Sequence, residues 1–554
     1  LKRKLPLAAL LLACLAVVTV ACSNNSTSSS DKDEGVLTTA QIKKNIGSKL
    51  ITTREKAQST LTKKYQKIVK DSDYTLDKPY IKVNPYETSP LTALVIFQTS
   101  QAAKITYTVA GESDGTSITN TVNGDYSTTH QVPVVGLYAD KTNTVTLNIT
   151  YQDGTTATKE ISVKTGALPK YIKSAKVTVT ENDKNKMDIG NNKLTIINRT
   201  TKEPFAVDAD GNVRWYLTDY SQHTIEQISN GHMLVLTKKK VSSSLYNDLI
   251  ETDVLGRVYK EYSFKGTTQS NDSGNSKDET TVIHHDLVEL PNQDILATVN
   301  DGSKYKEDVM VQISHKTGKV VKVIDLKKIL PESMYTSYKA GSDDKVDWFH
   351  QNSVDYDASD NSIMISGRNQ DMIMKLDYKT NEIKWIYSGK AKATWPKKYR
   401  DKILTPTKGT TITGGQHGLY LLSKTGDTEN VILYDNNIAV TNGDEKTSGK
   451  YSQAVEYQIN TKTMTIDQVW AYGKDLGKTN FTSIIGYAER ETNGNTLVDF
   501  GFKNNGKVSN IIEVDSTGAQ VFNITIKNAA AKAYAYRAYR VPFYSENYKF
   551  DVND

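Results

Sequence analysis

Cysteine is nearly absent: Cys14 and Cys22 are the only two in 554 residues, and both lie at the extreme N-terminus. No disulfide can therefore staple the body of the chain, which must be held by core packing. Dense basic blocks are also missing after the first residues, and the formal net charge of +6 is spread over many lysines and few arginines. That pattern excludes a nucleic-acid footprint. No close-spaced acidic-histidine motif of the kind that builds a catalytic metal centre occurs, which argues against a metal site made from the histidine pair. What is present is a tyrosine-rich chain, 37% hydrophobic and 24% charged, too apolar for disorder. Its length exceeds what one core can serve, so it holds at least two structural units or one large repetitive unit.

The first residues, Leu1-Lys2-Arg3-Lys4, precede an apolar run over 5–20. This is the pattern of a secretory signal, too short and wrongly flanked to span a membrane; Leu1 reads as an alternative start codon. The run ends at Thr19-Val20-Ala21-Cys22 and a Ser/Asn/Thr tract follows, an arrangement that resembles the lipobox and tether of bacterial lipoproteins, with Thr19 where leucine is usual. Cys22 is then the acylated first residue of an exported, membrane-anchored protein. The resulting division is a signal peptide over 1–22, a tether over 23–37, a helical segment over 38–75, a β-sandwich over 76–168 and a repetitive β-domain over 169–554.

In the helical segment, Ile42, Ile46, Leu50 and Ile51, then Leu61, Tyr65 and Ile68 recur at spacings of three and four, giving one long or two short helices that space the anchor from the body. Alternation replaces this periodicity near Pro79, with short Thr/Val/Tyr-rich strands and turns such as Asp153-Gly154, which predict a small sandwich. Beyond it the chain repeats. A hairpin with a Gly or Asn turn recurs at 206–216, 250–262, 311–324, 374–387, 455–472 and 511–522; a second, opening on a polar pair, interleaves at 222–236, 284–299, 350–365, 416–434 and 486–500. Two hairpins per period of roughly 60 residues are the signature of four-stranded blades. The fold class is all-β, a six-bladed β-propeller, and the terminal stretch 533–541 would close the ring by pairing with the first blade.

Of the eight histidines, His223, His284, His285, His350 and His417 occupy the opening of the second hairpin in different repeats, so they converge at one end of the channel. His130, His232 and His315 read as surface residues. Arg368 lies on the strand returning toward His350, and a planar guanidinium beside an imidazole suits a tetrahedral oxyanion.

Four segments carry a resemblance: His284-His285-Asp286; Asp347-Trp348-Phe349-His350-Gln351-Asn352-Ser353 with Ser366-Gly367-Arg368; Gln416-His417 ahead of Leu433-Tyr434-Asp435-Asn436; and Val455-Glu456-Tyr457 to Gln468-Val469-Trp470-Ala471-Tyr472-Gly473. In this order they resemble the bacterial arylsulfate sulfotransferases, which use no nucleotide sulfate donor. The resemblance implies a sandwich followed by a six-bladed propeller, and ping-pong transfer of a sulfuryl group between phenols. It places the nucleophile at His417, with Arg368 and His350 as the electrostatic clamp. His284 or His285 would contact the sulfuryl oxygens or serve the leaving phenolate; the first aligns with His350 and the second with His417, so register leaves them open. Asn352 would orient a neighbour or the sulfuryl group, and Trp348, Phe349, Tyr420 and Tyr487 would wall the phenyl ring. No cofactor is expected. The partners are phenolic sulfate donors, phenolic acceptors and, through the lipid, the membrane, with a homodimer left open. Some members carry a disulfide near the nucleophile, which this chain cannot form. The competing reading is a non-catalytic anchored propeller binding a carbohydrate or peptide.

Overall fold

The computed structural model describes residues 35–554 except 241, 267, 271–276, 280, 530 and 531. The leader with Cys22 and the tether up to residue 34 lie outside the described residues. The helical segment comprises α1 (Thr39–Ile46), opened by a Thr38/Gln41 capping box and closed by Gly47 at φ 52°, and α2 (Thr53–Ile68). A mutual cap of this kind satisfies backbone donors the helix cannot, and the left-handed stop suits glycine. These helices do not space an anchor from the body. Ile42 and Ile46 are wholly buried, and Lys49–Ile51 between the helices pairs with Val258–Ser263. Arg54 lies in ion-pair contact with Asp248 and Glu261.

Residues 80–164 form one sheet organised on an 18-residue strand, Thr92–Val109, whose first half pairs with Tyr80–Val83 and Ser127–Val135 and whose second half pairs with Ile118–Thr121 and Thr142–Tyr151. Alternating burial along Ala103 to Val109 turns every second side chain inward, as the strand's period of two requires.

Most of the remainder is built of antiparallel sheets of four strands, one of which gains a short parallel edge pairing from Thr405–Pro406. The hairpins at 206–216, 250–262, 311–324, 374–387, 455–472 and 511–522 are the third and fourth strands of these sheets where they start from an inner strand, and the polar-pair hairpins are the first and second. The sheet containing Phe205–Val207 and Val213–Tyr216 is the exception, because its innermost strand is Ala535–Pro542 from the C-terminus, paired with Lys193–Arg199. Lys176–Asn182 in turn completes the outer edge of the last sheet beside Gln520–Lys527. The two ends of the domain are thus exchanged, and the sheet edges they would expose are paired.

Inner strands of successive sheets are stitched by side chains. Asp286 accepts the N–H of Val354 (3.0 Å), Asp355 that of Leu421 (2.8 Å), Tyr420 that of Arg490 (2.8 Å) and Glu489 that of Arg540 (2.7 Å), while Tyr539 donates to the carbonyl of Ile225 (2.6 Å). Backbone donors facing the centre, which have no ladder partner, are satisfied in this way. The ends of these same strands carry the histidines.

Candidate active site

His417 opens the strand His417–Thr425 and is 3% exposed. Its Nδ1 lies 2.7 Å from Asn436 Oδ1. The amide's orientation is determined by its other end, since Asn436 Nδ2 donates to the carbonyls of Thr482 (3.0 Å) and Ile485 (2.7 Å). Only the oxygen remains for the imidazole, so Nδ1 carries the proton and Nε2 keeps its lone pair. Burial, and then the guanidinium of Arg368, hold the pKa of His417 well below the ordinary imidazole value. The ring is neutral and nucleophilic near pH 7. Upstream, Gln416 anchors this end of the strand by donating to Ser366 Oγ (2.9 Å) and the Met372 carbonyl (3.0 Å). Asn352 Nδ2 donates to the carbonyl of Gln416 (2.6 Å), so Asn352 bears on the backbone next to His417.

His350 has the opposite surroundings. Its Nδ1 is 2.7 Å from Asp347 Oδ2 and 2.7 Å from Glu307 Oε2. Burial alone would disfavour the charged ring, but Glu307 and Asp347 together push its pKa up to about 10. His350 is therefore an imidazolium at neutral pH. Glu307, which burial alone would push up, is held well below the usual carboxylate range by that positive ring.

Around His350 the other imidazoles are neutral and packed together. The ring centroid of His285 lies 4.8 Å from that of His350, 5.1 Å from His223 and 5.0 Å from His284. Burial lowers all three pKa values, that of His223 to about 3. His284 and His285 face each other through Nδ1 at 2.8 Å, so they share one proton between two acceptors. His223, His285 and His350 have φ of 59°, 50° and 53°, a left-handed conformation that is uncommon outside glycine and concentrates at functional sites. By the placement of that residue His285 corresponds to His350, and His284 precedes it as His417 precedes Gly418 at φ 64°. This is the reverse of the sequence alignment, in which bulges of unequal length hide the correspondence.

Arg368 begins the short turn Arg368–Gln370, and its N–H donates to the carbonyl of His350 (3.2 Å). Its guanidinium donates to Asn369 Oδ1 (2.8 Å) and, more weakly, to the Ser483 carbonyl (3.4 Å), leaving Nε buried without a protein partner. A permanently charged fork with an unused donor is equipped for an oxyanion. A second arginine enters from the C-terminal strand. Arg537 pairs with Asp286 (2.8 Å) and stacks over Tyr487 at 5.1 Å. Its charge also reaches His417.

Several expectations are corrected. Trp348 and Phe349 do not wall a substrate site: both are fully buried, Trp348 Nε1 donates to Asp308 (2.6 Å), and a Cβ on Gly367 would meet the Phe349 ring at 2.5 Å. They face the core, whereas Asp347 and His350 on either side of them face the site. Tyr420 accepts the N–H of Arg490 at its hydroxyl, and its ring stacks on that of Tyr487 at 6.1 Å. Tyr487 stays beside His417, since a Cβ on the adjoining Gly418 would lie 2.6 Å from its ring. His130 and His232 are buried rather than on the surface, His130 against Thr99 (2.9 Å) and His232 against Glu251 (2.8 Å). Sequence reasoning missed Glu307 and Arg537. Glu307 lies in a connection outside the histidine register, and Arg537 was read only as part of a closing strand. Among the described residues, His284, His285 and Glu307, and likewise Glu307, Asp347 and His350, offer closely spaced donor atoms; in the second group the two carboxylates already face the His350 ring, at 2.7 Å each. The third such group, Asp357, Asp360 and Glu429, is filled by Lys375 and Lys424.

A site of this kind, with one neutral and one charged imidazole beside a partly unpaired guanidinium, defines a group-transfer centre for an anionic tetrahedral group. Residues 178–537 match the arylsulfotransferase (ASST) family, and residues 80–166 match the arylsulfotransferase Ig-like domain. The chain belongs to the arylsulfotransferase family and is an enzyme of that aryl-sulfate sulfotransferase class. It is 25% identical over 519 residues to the arylsulfate sulfotransferase AssT of Escherichia coli O6:H1, covering 76% of this chain and 84% of the relative. It is also 25% identical over 527 residues to the AssT of Lelliottia amnigena, with the same shares. Among solved structures it is similar to a periplasmic gluconolactonase of Pseudomonas aeruginosa at a TM-score of 0.31 and 11% identity, over 74% of this chain and 98% of that one, a likeness too loose to argue from.

Proposed function

We propose that this enzyme carries a sulfuryl group from a phenolic sulfate ester to a phenolic acceptor in two displacements through a sulfohistidine at His417. In the first, His417 Nε2 attacks sulfur, the bond from sulfur to the aryl oxygen breaks, and a phenolate leaves. In the second, the acceptor's oxygen attacks the same sulfur, the bond from sulfur to Nε2 breaks, and the acceptor's phenolic proton makes good the one the departed phenolate took up. The neutral pair His284 and His285 handles that proton. Charge spreading over the equatorial sulfuryl oxygens is met by Arg368 and the His350 imidazolium. The single observation that carries this reading is the tautomer of His417, whose Asn436 contact leaves Nε2 free.

The four-stranded sheets and the match of residues 80–166 to an immunoglobulin-like domain support reading the chain as a six-bladed propeller over 169–554 behind a sandwich over 76–168, and the leader sequence supports export and a lipid tether on Cys22. Incubation with 4-nitrophenyl sulfate alone, without nucleotide or metal, tests the chemistry. Mass spectrometry should show one added sulfuryl group on His417, with release of an equivalent of nitrophenolate. A wild-type protein that neither acquires the group nor turns over with several phenols would end the proposal.

A further inference from the structure

Outside the reacting groups, one side chain is wired in an unusual way. Asp371 is fully buried at φ 49°, directly after the turn that carries Arg368. Its carboxylate accepts backbone N–H groups from two other segments. Gly415 donates to Oδ1 at 2.8 Å, and Val440 (2.9 Å), Thr441 (2.7 Å), Asn442 (2.8 Å) and Gly443 (2.8 Å) all donate to Oδ2. Consecutive amides curled around one oxygen form an anion-holding nest, here filled from within the protein. The fit is close: a Cβ on Gly443 would lie 2.7 Å from the Ala439 Cα and 3.3 Å from Asp371 Cγ. Thr441 Oγ1 also donates to the Asn369 carbonyl, and Asn442 Nδ2 to that of Gln370 (3.0 Å).

The three segments joined in this way each carry a working part of the site. The turn Arg368–Gln370 carries the guanidinium, and the Asp371 N–H closes it on the Arg368 carbonyl (3.2 Å). Gly415 stands two residues before His417. The loop reaching Gly443 starts at Asn436, which sets the tautomer of His417. Among the described residues, 436–452 contains no helix or strand; local turns and the Ile438 N–H to Gly414 carbonyl bond (3.1 Å) hold other parts of it, but the N–H groups of Val440 to Gly443 are held by Asp371. We infer that Asp371 is a positioning residue: its carboxylate is the common anchor that holds Arg368, His417 and the Asn436 loop in register for sulfuryl transfer. Catalytic groups displaced by about 1 Å lose on the order of a hundredfold in rate, so a clamp shared by both partners of the reaction acts on turnover without touching substrate. The kinetic half of this inference rests on the function proposed above.

Two measurements test it on the full chain. Amide hydrogen exchange of the wild type should show residues 440–443 protected at least tenfold beyond an open loop, and Asp371→Asn, whose amide offers only one acceptor oxygen, should abolish that protection. This readout does not require activity, so it stands even if sulfuryl transfer fails, and the wild-type half stands even if the variant does not fold. The nitrophenolate burst then counts competent sites. Asp371→Asn should lower the rate per competent site by ten- to a hundredfold with the donor KM within about twofold. Amides 440–443 exchanging as an open loop, or a variant that loses competent sites while each survivor works at the wild-type rate, would overturn the positioning role.

Discussion

His417 and His350 are the same residue type in one site, yet their environments drive them apart. At His417 the neighbours are an amide oxygen, burial and a guanidinium, and the ring is held neutral. At His350 two carboxylates at 2.7 Å overcome burial, and the ring is held charged up to a pKa of about 10. The difference teaches that the partners of Nδ1, not the imidazoles themselves, decide which ring is neutral and which is charged. Pairs of titratable groups pushed in opposite directions identify roles in many active sites.

Substitution of the two rings should break the comparison most sharply. His417→Ala should lose more than about a thousandfold in turnover and all of the donor-only adduct, since no bond to sulfur can form. His350→Gln keeps a neutral donor but not the charge, and should retain adduct formation at a rate about a hundredfold lower, in the range of a lost oxyanion contact. Rapid-quench kinetics of nitrophenolate release checks both.

A smaller, pH-dependent effect follows from Glu307→Gln. The raised pKa means that the His350 imidazolium persists through neutrality and is lost only as pH climbs toward about 10. Removing one carboxylate brings that loss to lower pH, so the alkaline limb of kcat/KM should move down by about one unit or more while activity at pH 6 changes little. An alkaline limb that does not move would separate His350 from the clamp. The gentlest change is Asn436→Asp, which offers His417 a charged acceptor. His417 then gains basicity and becomes protonated as pH falls, so its acid limb should move up in the same assay, while the lost donor to the Thr482 and Ile485 carbonyls lowers turnover at pH 8 as well.

Much of the framework could be read from residues alone. Hairpins with Gly or Asn turns, such as 250–262 and 374–387, coincide with the outer strand pairs because turn chemistry and alternation are local properties. The approach of Arg368 to His350 was equally legible, since one hairpin joins them. Glu307 was not, because its connection to His350 crosses from one sheet to the next and leaves no periodic trace. Trp348 and Phe349 were misread for a related reason: sequence adjacency to His350 does not reveal that the positive φ of His350 separates core-facing from site-facing side chains. The helical segment was recognised by its spacing of three and four, while its docking against Val258–Ser263 depends on a strand pairing more than two hundred residues distant.

The sequence by itself determined the all-β repetition, the polar pairs that open the inner hairpins and the absence of any covalent staple, because each is set by local pattern and composition. Tertiary structure alone decided which imidazole is charged, which nitrogen is free and what anchors the loop of Asn436. Those properties arise from Coulomb and hydrogen-bond partners carried by different sheets, and their strength depends on distance and burial that no linear spacing encodes.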